Sequence, residues 1–159
     1  METNPLQHPL LTGAYDLTVD DKNRLLIPSD IRKRLVPDRD GEAFYLVVGM
    51  NKKAWLYPEK YYEALVQAPA EFAPSEDSLA FDQILALAHR LELDAQGRML
   101  IPERFLKRTE TQREVTLIGA RNHLELWNRA DWEVRGEELW QRSAEIATKA
   151  KKAAKEKEG

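Results

Sequence analysis

The sequence contains no cysteine, which excludes disulfides and thiolate chemistry and fits a reducing compartment. No apolar run approaches the roughly 20 residues that a bilayer span requires. The opening Met-Glu-Thr-Asn-Pro has no basic segment followed by an apolar one, so no secretory signal is expected. A cytoplasmic protein without a membrane partner is the expectation. Glycine is scarce, with seven in 159 residues, and no glycine run could cradle a phosphate. The four serines lack a Gly-x-Ser-x-Gly elbow. His8, His89 and His123 stand singly, without ligand spacing. No catalytic residue, metal, cofactor or small-molecule substrate is therefore expected, and an enzyme is the weakest of the functional classes.

What is present is apolar material for a core, 43% of the residues, and abundant charge, 32%. The formal net charge of −3 argues weakly against a polyanionic partner, but charge here is segregated. Lys22, Arg24, Arg32, Lys33 and Arg34 are opposed within their stretch only by Asp30, whereas Glu71, Glu76, Asp77 and Asp82 lie in a segment without Lys or Arg. A basic patch can bind phosphates on a protein that is acidic overall.

The chain repeats itself. Asp20-Asp-Lys-Asn-Arg-Leu-Leu-Ile-Pro28 returns as Asp94-Ala-Gln-Gly-Arg-Met-Leu-Ile-Pro102, at an offset of 74. Leu17 and Val19 precede the first copy as Leu91 and Leu93 precede the second, and Lys33-Arg34 is matched by Lys107-Arg108. Further on, Leu46-Val-Val-Gly49 aligns with Thr116-Leu-Ile-Gly119 and Trp55-Leu-Tyr57 with Glu125-Leu-Trp127, at an offset of 70. This alignment places a loss of four residues between helix and strand of the second copy.

Each copy reads as ββαββ. Tyr15, Leu17 and Val19 alternate with polar residues, a strand period, and a second strand covers Arg24 to Ile27. Residues 20–23 form the turn between them. Ser29 is the expected N-cap of a short helix opening at Pro28. A hairpin then turns at residues 51–53, and Pro58 starts a helix to about Val66. The second copy gives strands over 90–93 and 98–101, a helix over 103–108 and a hairpin turning at Arg121-Asn122. The expected domains are a first repeat over 13–67, a linker over 68–78, a second repeat with its preceding helix over 79–135, and a helical, partly disordered tail over 136–159. Phe81, Ile84, Leu85 and Ala88 have the spacing of an amphipathic helix, and 132–158 reads as one long helix. The fold class is α+β, mainly β. Units this small need a partner for their open faces, so the two copies are expected to clasp as an intramolecular pseudo-dimer, closing the strands into a small split barrel with flanking helices.

The paired Asp-x-x-x-Arg turn leading into Leu-Ile-Pro, with Val115-Thr-Leu-Ile-Gly119 and Leu124-Glu-Leu-Trp127, resembles the MraZ family over about residues 13–132. The resemblance implies an AbrB-like swapped-hairpin fold and a ring-shaped homo-oligomer, an octamer or dodecamer. It also implies a nucleoid-associated transcription factor that represses the division and cell-wall gene cluster through GT/GGG-type direct repeats in the promoter DNA. Asn23 stands where the family usually has glycine, and asparagine is the next-best residue at positive φ.

Arg24 follows a turn tip, beside Lys22, with Asp20 close enough to hold it. Arginine suits both phosphates and guanine edges. Read alone, Asp20 and Arg24 are more readily an exposed ion pair that stabilises a hairpin. The repeat and the resemblance tip the balance toward a DNA-binding site made of Asp20, Lys22, Arg24, Asp94 and Arg98. Lys33, Arg34, Lys107 and Arg108 are weaker candidates for phosphate contacts. The aromatics Tyr57, Tyr61, Tyr62, Trp127, Trp132 and Trp140 are expected to pack in the core or between subunits rather than stack on bases. The alternatives are an AbrB-fold antitoxin-like protein, which binds another protein, and a purely structural ring-forming factor.

Overall fold

The computed structural model describes residues 6–68 and 76–158. The chain divides into two compact units, Met1–Asn128 and Arg129–Gly159. In the first, β1 (Ala14–Thr18), β2 (Arg24–Leu26), α1 (Ser29–Arg32), α2 (Pro37–Asp40), β3 (Ala43–Val48), β4 (Ala54–Pro58) and α3 (Glu59–Gln67) form the first repeat. Then follow α4 (Glu76–Ile84), a 3-10 turn (Leu85–Leu87), β5 (His89–Glu92), β6 (Arg98–Leu100), α5 (Glu103–Arg108), β7 (Glu114–Gly119) and β8 (Leu124–Asn128). The second unit contains α6 (Arg129–Gln141) and α7 (Ser143–Glu158). Most of the stretch read as a linker, 69–75, lies outside the described residues, and its end at 76–78 is already helical.

The two repeats are interleaved. A six-stranded antiparallel sheet runs β1-β7-β8-β4-β3-β5, and a separate ribbon pairs β2 with β6. Strand β1 of the first repeat joins β7 of the second, and β5 of the second joins β3 of the first. The repeats are therefore tied by backbone hydrogen bonds rather than packed as beads. A pseudo-twofold axis relates them: Leu25 pairs with Met99, its own counterpart, and Trp55 pairs with Glu125. Among the described residues the long ladder ends at β1 and β5, and an isolated bridge between Leu93 and Met99 links the end of β5 to the ribbon.

The core lies between sheet and ribbon. Leu25, Ile27, Met99 and Ile101 from the ribbon and its exits join Phe44, Leu46, Leu56, Leu117, Leu124 and Leu126 in one cluster, each 2% exposed or less. Burying a side chain of this size contributes about 1.5–3 kcal/mol, so this interior holds the ribbon in place. Opposite the core, Trp55 stacks on His123 with ring centroids 3.9 Å apart, and Glu125 accepts bonds from Asn51 and Trp127. Burial raises the Glu125 carboxyl, but hydrogen bonds from His123, Trp127 and Asn51 outweigh it and leave the group below its ordinary value.

The register corrects the repeat alignment. Tyr15 faces Leu117 and His89 faces Leu46, so Leu46 corresponds to Leu117, an offset of 71. Both leucines are fully buried. Aligning Gly49 with Gly119 slips the strand by one residue, which turns every side chain to the wrong face. The second copy lost three residues before β7 and one more in the hairpin loop.

Other expectations also change. Pro28, not Ser29, occupies the N-cap of α1, with no side-chain cap bond. The short helix α2 was not anticipated; its Asp40 is buried and accepts the Val36 N–H at 2.8 Å and the Arg39 guanidinium. The helix expected to run to Ala88 stops at Ile84 and tightens to 3-10, and Ala88 is extended because His89 must enter the sheet. No residue of α4 is buried. The long C-terminal helix begins at Arg129 and is interrupted at Arg142. Trp140 is 79% exposed within the single chain, which leaves packing between subunits as the part of its expectation that stands open. Within the stretch expected to be a helical tail, residues 143–158 form α7. Among the described residues no helix is long and apolar enough to cross a membrane.

Candidate nucleic-acid interface

The two Asp-x-x-x-Arg segments fold into the same turn. In the first, the Asp20 N–H donates to the Arg24 carbonyl at 3.0 Å and the Asn23 N–H to the Asp20 carbonyl at 3.0 Å. Asp20 Oδ1 accepts the N–H groups of Lys22 (3.0 Å) and Arg24 (2.8 Å), and Oδ2 accepts Arg24 Nε at 2.8 Å. In the second, Asp94 Oδ1 accepts the N–H groups of Gln96 and Arg98, both at 2.9 Å, and Oδ2 accepts Arg98 Nε at 2.9 Å. The spacing follows from this: one carboxylate closes the turn with one oxygen and orients the arginine with the other. The fourth turn residue takes positive φ, 63° at Asn23 and 80° at Gly97, which is the reason those two residue types stand there.

The backbone N–H of Arg24, ahead of its guanidinium and the Lys22 N–H, holds the Asp20 carboxyl below the usual carboxylate value against the opposing effect of desolvation. The Arg98 N–H does the same for Asp94. Both acids are thus ionised at neutral pH and their arginines oriented. Each guanidinium is held through Nε, and no hydrogen bond to its Nη nitrogens is present among the described residues.

The ribbon brings the two arginines together. Arg24 lies directly across from Leu100, and Arg98 from Leu26, with Leu25 and Met99 buried between them on the other face. Side chains alternate along a strand, so Arg24, Leu26, Arg98 and Leu100 share the outward face, the two arginines at diagonal positions roughly 7–8 Å apart.

The remaining candidates separate. Lys22 is exposed at the first turn. Arg34 is tied to the N-terminal segment, its Nη1 donating to the Leu10 carbonyl (2.9 Å) and to Thr12 Oγ1 (2.7 Å). Lys107 faces Glu103 at 3.5 Å on the surface of α5. Lys33 and Arg108 are exposed and, among the described residues, have no side-chain partner. Sequence reasoning missed Arg113, whose guanidinium donates to the carbonyls of Val19 and Asp20 and so brings a third cation to the first turn. The signal for it lay in the pairing of β1 with β7, which a repeat-by-repeat reading does not provide.

Fold and paired turns together define a protein of two interleaved AbrB-like units, each presenting one Asp-oriented arginine on a shared ribbon. A family model described as "MraZ protein, putative antitoxin-like" matches the chain twice, over residues 10–82 and 84–156. Proteins named "Transcriptional regulator MraZ" are similar to it. That of Clostridium tetani is 31% identical over 126 residues, 78% of this chain and 85% of the relative. That of Pediococcus pentosaceus is 31% identical over 141 residues, 87% and 94% of the two chains, and that of Thermoanaerobacter sp. is 32% identical over 127 residues. The chain belongs to the MraZ family.

Proposed function

We propose that the protein is a sequence-specific DNA-binding transcriptional regulator, acting in the cytoplasm on the nucleoid, that reads duplex DNA with the β2–β6 ribbon. The observation that carries this reading is the outward face of the ribbon, where Arg24 and Arg98 are fixed through Nε with their Nη nitrogens unengaged among the described residues. The major groove admits a two-stranded ribbon, and an arginine bonds the O6 and N7 of guanine in bidentate fashion. Orienting the side chain beforehand lowers the entropy lost on binding. Lys22, with Arg113 near it, supplies phosphate contacts at the first turn, and Lys33, at the end of α1, and Lys107 and Arg108, on α5, follow the ribbon strands.

The finer reading is repression of the division and cell-wall gene cluster through direct repeats in its promoter, by a closed ring of eight or twelve copies. One ribbon covers few base pairs, so repeats in the DNA call for repeats in the protein. Leu79, Phe81, Ile84 and Leu87, each 47–58% exposed on and after α4, leave apolar surface for a neighbouring copy, and cyclic closure is the usual way to bury it. The family description "putative antitoxin-like" favours a second reading, the capture of a protein partner.

A gel shift of the full chain on duplex DNA from upstream of its own gene separates the two. Retardation of that DNA and not of a scrambled duplex is expected. Equal retardation of both sinks the sequence-specific reading. Light scattering tests assembly, and a strict monomer at micromolar concentration removes the ring.

A further inference from the structure

The ribbon's outward face holds two residues that phosphate or guanine recognition does not use. Leu26 is 45% exposed and Leu100 62% exposed. A single exposed leucine is ordinary. These two occupy dyad-related positions, each directly across the ribbon from an oriented arginine, Leu100 from Arg24 and Leu26 from Arg98. The face is thus two Arg–Leu pairs, with each apolar group beside the cation at the part of the molecule argued to meet DNA.

We propose that Leu26 and Leu100 are specificity-determining residues that each recognise the 5-methyl group of a thymine in the base pair next to the guanine read by the facing arginine. This rests on the ribbon being the DNA-reading surface. Three physical points carry it. In the major groove thymine is the one base that presents a methyl, and apolar side chains recognise it. Side chains directly opposite in an antiparallel pair have Cβ atoms about 4.5–5.5 Å apart, a separation that spans one base step, about 3.4 Å along a strand, better than two. The backs of both leucine-bearing strands are locked, because Leu25 and Met99 are fully buried and Ile27 and Ile101 at most 1% exposed. The leucines therefore cannot fold inward to escape water and stay presented on the reading face.

The test replaces one methyl at a time. Duplexes are selected from a random library with the full-length protein, and each thymine of the enriched sequence is replaced singly by deoxyuridine, which deletes the methyl and leaves base pairing unchanged. Fluorescence anisotropy should show about a fourfold loss of affinity at thymines beside the arginine-read guanines. The double variant Leu26→Ala, Leu100→Ala should bind thymine and deoxyuridine duplexes equally. Deoxyuridine without effect at every position overturns the proposal, as does a penalty that persists in the double variant. A double variant with altered light-scattering mass also overturns it, assigning the leucines to self-association. Failure of any duplex to enrich takes down the DNA-reading function itself, whereas enrichment without a methyl effect takes down only the leucines.

Discussion

The turns at 20–24 and 94–98 have the same backbone, the same carboxylate closure and the same Nε contact, yet they sit in different surroundings. Beside the first, Leu106 of α5 leaves a cleft of about 260 Å³ lined by Val19, Asn23 and Arg113. Beside the second, the residue equivalent to Leu106 is Arg32, whose Nε donates to the Ile27 carbonyl at 3.0 Å. Its guanidinium comes so close to Gly97 that an added Cβ would stand 2.8 Å from it. The first turn has Lys22 at its tip and Arg113 on its carbonyls, the second Gln96 at its tip and a buried glycine. Duplication produced two identical frames, and divergence made the first the more cationic and the second the more tightly packed.

The sharpest break of that comparison is in affinity. Arg24→Ala should lower specific DNA binding about a hundredfold and Arg98→Ala about tenfold, both within the range of a bidentate arginine–guanine contact. Oligomer mass should stay unchanged, and the melting temperature should lie within about 4 °C of the wild type, because exposed ion pairs add little stability. Asp20→Ala should weaken binding less than Arg24→Ala, since it loosens the arginine without removing it. If Arg24→Ala bound normally and melted early, the arginine would be a hairpin staple. The reading surface would then have to be sought at Lys33 and the second repeat.

Exchanging the fourth turn residues should separate packing from charge. Gly97→Asn forces a side chain into the left-handed region and against Arg32, displacing the bond to Ile27. It should destabilise the protein by about 1–2 kcal/mol in urea. Asn23→Gly opens onto the cleft and should change stability by less than about 0.5 kcal/mol. Equal costs at the two positions would mean that Arg32 does not set the difference.

Much of this was legible in sequence. Identity at an offset of 74 located both turns and both arginines, because turn geometry depends on residues within five positions of one another. Helix α5 was read to the residue. What failed depended on distant partners. The slip at β3 and β7 followed a glycine match, although burial of Leu46 and Leu117 decides the register. The length of the helix before β5 was set by the pairing of His89 with Leu46, not by its own apolar spacing. Arg113 reaches the first turn only because the repeats interleave.

The charge difference can be exchanged between the turns. Lys22→Gln should reduce the slope of log K against log salt by about 1 per binding ribbon, with little change in sequence preference, and Gln96→Lys should raise it by a similar amount. Carrying both substitutions, the protein should regain the wild-type slope if the two tips are equally close to phosphates. A slope unmoved by Lys22→Gln would place that lysine away from the backbone.

The smallest expected effect is on pH, and it tests what the turns still share. Both Asp20 and Asp94 are held below their ordinary value by the N–H of the arginine four residues on. A depressed carboxyl contributes its stabilisation fully above the unfolded value, near 3.8 for these groups, and loses it as pH falls through the folded one. Asp20→Asn and Asp94→Asn should each lower the urea midpoint by an amount that is constant from pH 7 to pH 5. Below about pH 4 the gap to wild type should begin to narrow for both variants as the unfolded carboxyls protonate, and it should close only as pH falls through the lower folded value. A gap that closed between pH 7 and pH 5 at either turn would show that its acid titrates near neutrality. The shared closure by backbone N–H groups would then be wrong for that turn, and with it the reason both arginines stand oriented before any DNA arrives.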